Sequence, residues 1–217
     1  MNLKKFLFIF IFFASILFPD QIKAACNFKN SLFIDQLKNP NNIKNIRINT
    51  PKSKKYHLNA LKIHLLSSRN IDTKLRKKFN ADVIVQYPFG ECVYKAKIWQ
   101  NGDWKDHIEL INGKLLRSLN VKLKNGNINR AVKFKLFLPK TRNSLNEVLG
   151  SLIVRNLGLI SPETFEVNVI VNNQDLVMIF QEDSQKEMLE RNQRREGPIF
   201  EGDESIMWTK AYDSWGP

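Results

Sequence analysis

Apolar and polar residues alternate with a two-residue period over much of the chain, which predicts half-buried antiparallel strands. Tyr94, Ala96 and Ile98 alternate with Lys95 and Lys97. Leu119, Val121 and Leu123 alternate with Asn120, Lys122 and Lys124, and Val132, Phe134, Leu136 and Leu138 run against Lys133, Lys135 and Phe137. Val83–Tyr87 and Ile43–Ile48 are further strand-like runs. Phe165 to Val171 and Leu176 to Phe180 form two alternating arms joined by Asn172-Asn173, a pair that tolerates the positive φ of a tight hairpin.

The period changes between Ser144 and Leu157. Leu145, Val148, Leu149, Leu152 and Ile153 fall at helical spacing, and Gly158 stands where a helix would end. Ser144 and Glu147 match a capping box, in which each side chain bonds the other's backbone amide. This stripe is expected to pack on the sheet built by the hairpin, at about 1.5–3 kcal/mol for each large side chain buried. Tyr56–Leu66 is a further helix candidate, Asp72–Phe79 reads as a short basic helix, and a last helix starts at Asp183 or Ser184 and stops by Gly197. With no internal repeat and no long linker, the predicted fold class is α+β, an antiparallel sheet with one main packed helix.

Residues 1–24 read as a targeting segment. Lys4 and Lys5 precede the apolar run Phe6–Phe18, and Ile22-Lys23-Ala24 offers a cleavage site. The run is short for a membrane span of about 20 residues, which disfavours an uncleaved anchor. A lipidated Cys26 is disfavoured by Lys23. The expected location is therefore periplasmic or extracellular, with no integral span after cleavage. The only two cysteines, Cys26 and Cys92, both lie beyond that site and are expected to form one disulfide, a closure worth about 4 kcal/mol in the chain-entropy model.

The formal charge is +13; setting residues 1–24 aside removes Lys4, Lys5, Lys23 and Asp20 and leaves +11. That balance suits an anionic surface, a phosphorylated substrate or a nucleotide, and a lysine-rich solvated surface fits it as well. Export argues against nucleic acid as the partner, and no zinc-ligand spacing or helix-turn-helix pattern restores it. His57, His64 and His107 are not spaced as metal ligands, and no serine occupies a Gly-x-Ser-x-Gly elbow.

From Leu138 to Glu204 the order of features is more particular. Pro139-Lys140-Thr141-Arg142-Asn143 opens the helix, and Ser161-Pro162-Glu163-Thr164 leads into the hairpin. The hairpin closes on Phe180-Gln181-Glu182-Asp183, and Arg194-Arg195-Glu196-Gly197-Pro198-Ile199-Phe200-Glu201-Gly202-Asp203-Glu204 follows. Over roughly residues 90–204 this order resembles the CotH kinase family, the spore-coat-type secreted relatives of protein kinases. The resemblance implies residues 25–80 as an N-terminal cap, 81–183 as a lobe like the N-terminal lobe of a kinase, and 184–217 as the start of a C-terminal portion. It implies ATP and magnesium, and a protein or anionic envelope acceptor.

Within that reading Lys122 binds phosphate, Glu147 pairs with it, Gly102 belongs to the loop over the phosphates, and Glu182 lies at the segment that meets the adenine. Each has an ordinary alternative: a solvated lysine on a sheet face, a helix cap, and a hairpin glycine in Asn101-Gly102-Asp103. Arg194 and Arg195 suit phosphate or salt bridges at a helix C-terminus. Only 35 residues follow Glu182, and Asp183, Asp203 and Asp213 are the aspartates from there on. None has a His-Arg-Asp or Asp-Phe-Gly setting, so a catalytic lobe cannot be built from them. The sequence is then either a partial reading of a longer enzyme, which the abrupt stop favours, or a chain without the reaction. In the second case it is a non-catalytic envelope module with a basic binding surface.

Overall fold

The alternating strands close into a ring. The computed structural model describes residues 25–28, 31–111 and 113–200, so the targeting segment and the Asp203 and Asp213 positions lie outside the described residues. In chain order the elements are β1 (Ala25–Phe28), β2 (Asn45–Asn49), α1 (Ser53–His64), β3 (Phe79–Tyr87) and β4 (Gly90–Gln100). Then come β5 (Ile108–Ile111), β6 (Lys114–Arg117), β7 (Leu119–Leu123), β8 (Lys133–Phe137), α2 (Asn146–Asn156), β9 (Thr164–Val171), β10 (Gln174–Glu182) and α3 (Lys186–Arg191). The main sheet runs β1-β4-β3-β2-β9-β10-β8-β7, and β7 also pairs with β4, which closes seven strands into a barrel. β5 and β6 form a separate two-stranded flap.

Closure depends on the length of β4. Its first residues, Gly90 to Val93, pair with β1, and its last, Ala96 to Gln100, pair with β7. One strand thus serves both a flanking strand and the seam. All the barrel pairings are antiparallel except β2 with β9. Cys26 and Cys92 are register partners and form the expected disulfide, which ties β1 to β4.

The α+β expectation, a sheet with a helix packed across it in the manner of a kinase N-terminal lobe, is overturned: the described residues are mostly β, with three short α-helices outside a closed barrel. The physical reason lies in the strand alternation. A closed barrel buries its apolar face on itself, as Ile46, Val83, Ile98, Val121, Phe134 and Phe180 do here. Phe134 and Phe165 both stack on Phe180, with ring centroids 4.5 and 4.6 Å apart. The outward positions are mostly polar, with the register partners Phe137 and Ile179 as fully buried apolar exceptions, so the wall offers a covering helix little apolar surface.

α2 shows the consequence. Its predicted inward stripe faces outward: Leu145, Leu149, Leu152 and Ile153 are 46–57% exposed, and Ser151 is its one buried residue. Ser151 Oγ bonds Thr164 Oγ1 at 2.9 Å on the outer wall of β9. The capping box is also absent. Ser144 has a φ of 60°, the helix begins at Asn146, and its N-cap, Leu145, makes no side-chain bond. The helix end is as expected: Gly158 at φ 74° and Leu159 donate backbone bonds to Arg155 and Val154, a Schellman closure.

Asn172 and Asn173 both take positive φ in the β9–β10 turn. The basic helix expected over Asp72–Phe79 is a single 3-10 turn, Thr73–Leu75, because Phe79 is already the first residue of β3. No helix among the described residues is long and apolar enough to cross a membrane.

Candidate anion-binding face

Strand register stacks lysines that lie far apart in the sequence. Lys97 of β4 is opposite Lys122 of β7, and Lys122 is opposite Lys133 of β8. All three sit between inward-facing neighbours, so their side chains share the outer wall. The next row on that wall is Trp99, Asn120, Lys135 and Gln181. Lys78 Nζ lies 5.1 Å from the centre of the Trp99 ring, a cation–π contact at the border of the patch.

Like charges directly opposite on adjacent strands are destabilising. Here the repulsion is answered on one side only. Asp183, 7% exposed, places Oδ2 2.6 Å from Lys133 Nζ and Oδ1 3.3 Å from Lys135 Nζ. Burial works to raise the Asp183 pKa, but the hydrogen bond from Lys133 and the charges of Lys135 and Lys133 outweigh it and hold the carboxyl below its usual range. Lys95, on the same wall, is matched by Asp82 at 2.8 Å. Lys97 and Lys122 are both exposed and have no ion pair among the described residues.

The residues expected to form a nucleotide site occupy different places. Lys122 is central to the lysine row. Glu147 is on α2, where Oε1 accepts from Gln181 Nε2 at 2.6 Å and Oε2 lies 3.7 Å from Arg142 Nε, so its ion pair is with Arg142 and not with Lys122. Gly102 is beyond the end of β4 at φ 82°, and a Cβ there would fall inside the His107 ring. Glu182, 3% exposed, is a structural clamp. Its Oε2 accepts from Arg191 Nη2 at 2.6 Å and from the Glu163 amide at 3.1 Å. Arg191 also reaches the Ser161 carbonyl at 2.7 Å, and Arg155 pairs with Glu163 at 3.1 Å.

Arg194 and Arg195 are exposed after α3. His107, read from sequence as loop-like, is buried beside Phe137, and burial pushes its pKa down. His57 is half-buried on α1, where burial and the Arg117 charge also lower it.

The lysine row fits the phosphates of a nucleotide or a polymer. Magnesium fits less well, since the described residues contain no group of three acidic, histidine or cysteine ligands, and Asp183 and Glu182 are already engaged with cations. A cleft of about 490 Å³, lined by Lys44, Gln86, Phe89 and Glu91, lies at the β3–β4 turn, apart from this wall.

Sequence reasoning singled out Lys122 but not Lys97, Lys133, Lys135 or Asp183. The strand alternation already placed those lysines on the outer face; the register that aligns them is a tertiary property. No protein-family model and no curated protein matches the chain.

Proposed function

We propose that the outer wall of β4, β7 and β8 binds phosphate groups, and that the protein is an exported binding module for a phosphate-bearing polymer of the cell envelope. The observation that carries this is the cross-strand row Lys97–Lys122–Lys133, in which two of three lysines have no acidic partner among the described residues. A bound polyanion removes the like-charge penalty of the row, and the net charge of +11 that remains when residues 1–24 are set aside attracts it over longer range. The targeting pattern at residues 1–24 and the Cys26–Cys92 disulfide support export.

The test is binding of long-chain inorganic polyphosphate, followed by fluorescence anisotropy across a salt series. The double change Lys97→Gln and Lys122→Gln is expected to weaken binding at least about tenfold and to flatten the salt dependence, as fewer counterions are released. Lys95→Gln, whose charge Asp82 already answers, should change binding little. Equal affinity in the double variant and the wild type would overturn the reading.

A second reading is ATP-dependent phosphotransfer to a protein or envelope acceptor, as the CotH resemblance implies. It is favoured by one feature, the Lys133–Asp183–Lys135 cluster beside Lys122 at the point where the chain leaves β10. Saturable ATP binding that Lys122→Gln abolishes, together with polyphosphate binding no stronger than for a lysine-matched control protein, would favour this reading over the first.

A further inference from the structure

We infer that the outward face of α2 is an interface with a second copy of this chain, the two helices packing against each other about a twofold axis. The face is built from Leu145, Leu149, Leu152, Ile153, Leu157 and Leu159, each between 46% and 70% exposed. Together they present apolar surface on the order of 600 Å², the upper end of what a monomer ordinarily leaves in one patch. A standard interface needs about 800 Å² per partner, so this stripe with a modest polar rim is enough.

The charge pattern suits a second copy as the occupant. α2 carries two charged side chains, Glu147 and Arg155, and both are turned to their own barrel. Glu147 meets Gln181 and Arg142, and Arg155 meets Glu163 and the Pro162 carbonyl. The exposed stripe is therefore uncharged, with Asn146 and Asn156 as its helical polar residues, and a second copy can approach without setting like charges against each other. The lysine row is on β4, β7 and β8, whereas α2 lies over β9.

An anionic lipid surface is the less suitable occupant. Helices that lie in a membrane interface carry lysine and arginine along the rim of the apolar face, and α2 has no lysine and a single, inward-turned arginine. Gly150, exposed with open space where a Cβ would stand, leaves room for close helix approach at the flank of the stripe.

Sedimentation equilibrium of the purified protein tests the inference. The expected result is twice the monomer mass for wild type and monomer mass for the double variant Leu149→Glu, Leu152→Glu, with an unchanged circular dichroism spectrum. Should that variant misfold, Leu149→Cys gives a second readout. With Cys26 and Cys92 joined to each other, the new thiol is the free one, and it should form an intermolecular disulfide on mild oxidation where an exposed control, Lys74→Cys, does not. Three results would each overturn the inference: a wild-type monomer at the highest soluble concentration, a dimer that the double variant leaves intact, or a wild-type monomer whose stripe instead binds vesicles of anionic phospholipid.

Discussion

Helices α1 and α2 are nearly the same length and carry apolar residues at the same period, yet they face opposite ways. α1 turns Tyr56, Ala60 and Ile63 inward, with Asn59 buried beside them. Ile63 packs with Ile108 and Leu115 of the β5–β6 flap, in a small apolar cluster that Leu66, Ile71 and Leu75 complete, and the site is locked by Arg117. Its guanidinium carbon lies 3.6 Å from the centre of the Tyr56 ring, and Nη1 donates to Asn59 Oδ1 at 3.0 Å. α2 instead meets the outside of a closed barrel and is held by polar bonds through Ser151, Glu147 and Arg155. What decides a helix's orientation is the apolar surface that its neighbour leaves uncovered. An open flap demands cover, whereas the barrel wall has turned most of its apolar residues inside.

If that contrast is right, the two regions fail to different kinds of substitution. Near α2 the largest loss should come from an ion. Arg191→Ala leaves Glu182, 3% exposed, without its counter-charge, and breaking such a buried pair costs about 3–5 kcal/mol. A loss below about 1 kcal/mol in urea unfolding would place the clamp outside the cooperative core. Beneath α1 the sensitive group is apolar: Ile63 is fully buried, and Ile63→Ala should cost about 2–5 kcal/mol.

The next effects are smaller and concern the flap and the strand ends. Gly102→Ala forces a Cβ onto His107 at a positive φ and should lower stability by about 1–3 kcal/mol. The pH dependence should separate the same two regions. Burial holds His107 below its usual value, so the folded state binds that proton less readily than the unfolded chain. The flap's stability is therefore full above about pH 6.5 and falls as pH drops below it. Asp183 is also depressed, by its lysines against burial, so its contribution is present above about pH 4 and lost as pH falls through the lower folded value. His107→Gln should remove the first dependence and Asp183→Asn the second, read from thermal melts between acid and neutral pH.

Most strands, the Asn172-Asn173 turn, the Gly158 helix end and the disulfide were legible because each depends on residues close together or on a single possible pairing. Barrel closure was not, since it rests on β4 being long enough to pair with both β1 and β7, a fact of register. The inverted face of α2 follows from that closure. Lys122 was legible as a candidate, but its companions Lys97 and Lys133 become neighbours only through the same register. Glu147 matched a capping box by spacing, whereas Gln181 and Arg142, which it contacts, are brought to it by the fold.

The smallest expected effect is the sharpest test of the comparison. Under the stripe-inward expectation, Leu149→Asp would bury a charge and prevent soluble expression. With Leu149 57% exposed, the same change alters folding stability by no more than about 0.5 kcal/mol when measured at protein concentrations low enough for the monomer. The aspartate also falls in the second turn of α2, beyond the strongest part of the helix N-terminal field, so the dipole offers it little compensation. A variant that is soluble, cooperative in urea and close to wild type in midpoint therefore requires an outward face. A variant recovered only in inclusion bodies would mean that this stripe is packed within the monomer, and since the outward residues Glu166 and Asn168 of β9 are polar, that packing would have to reach Ile179 of β10 and Phe137 of β8, the apolar outward residues next in register.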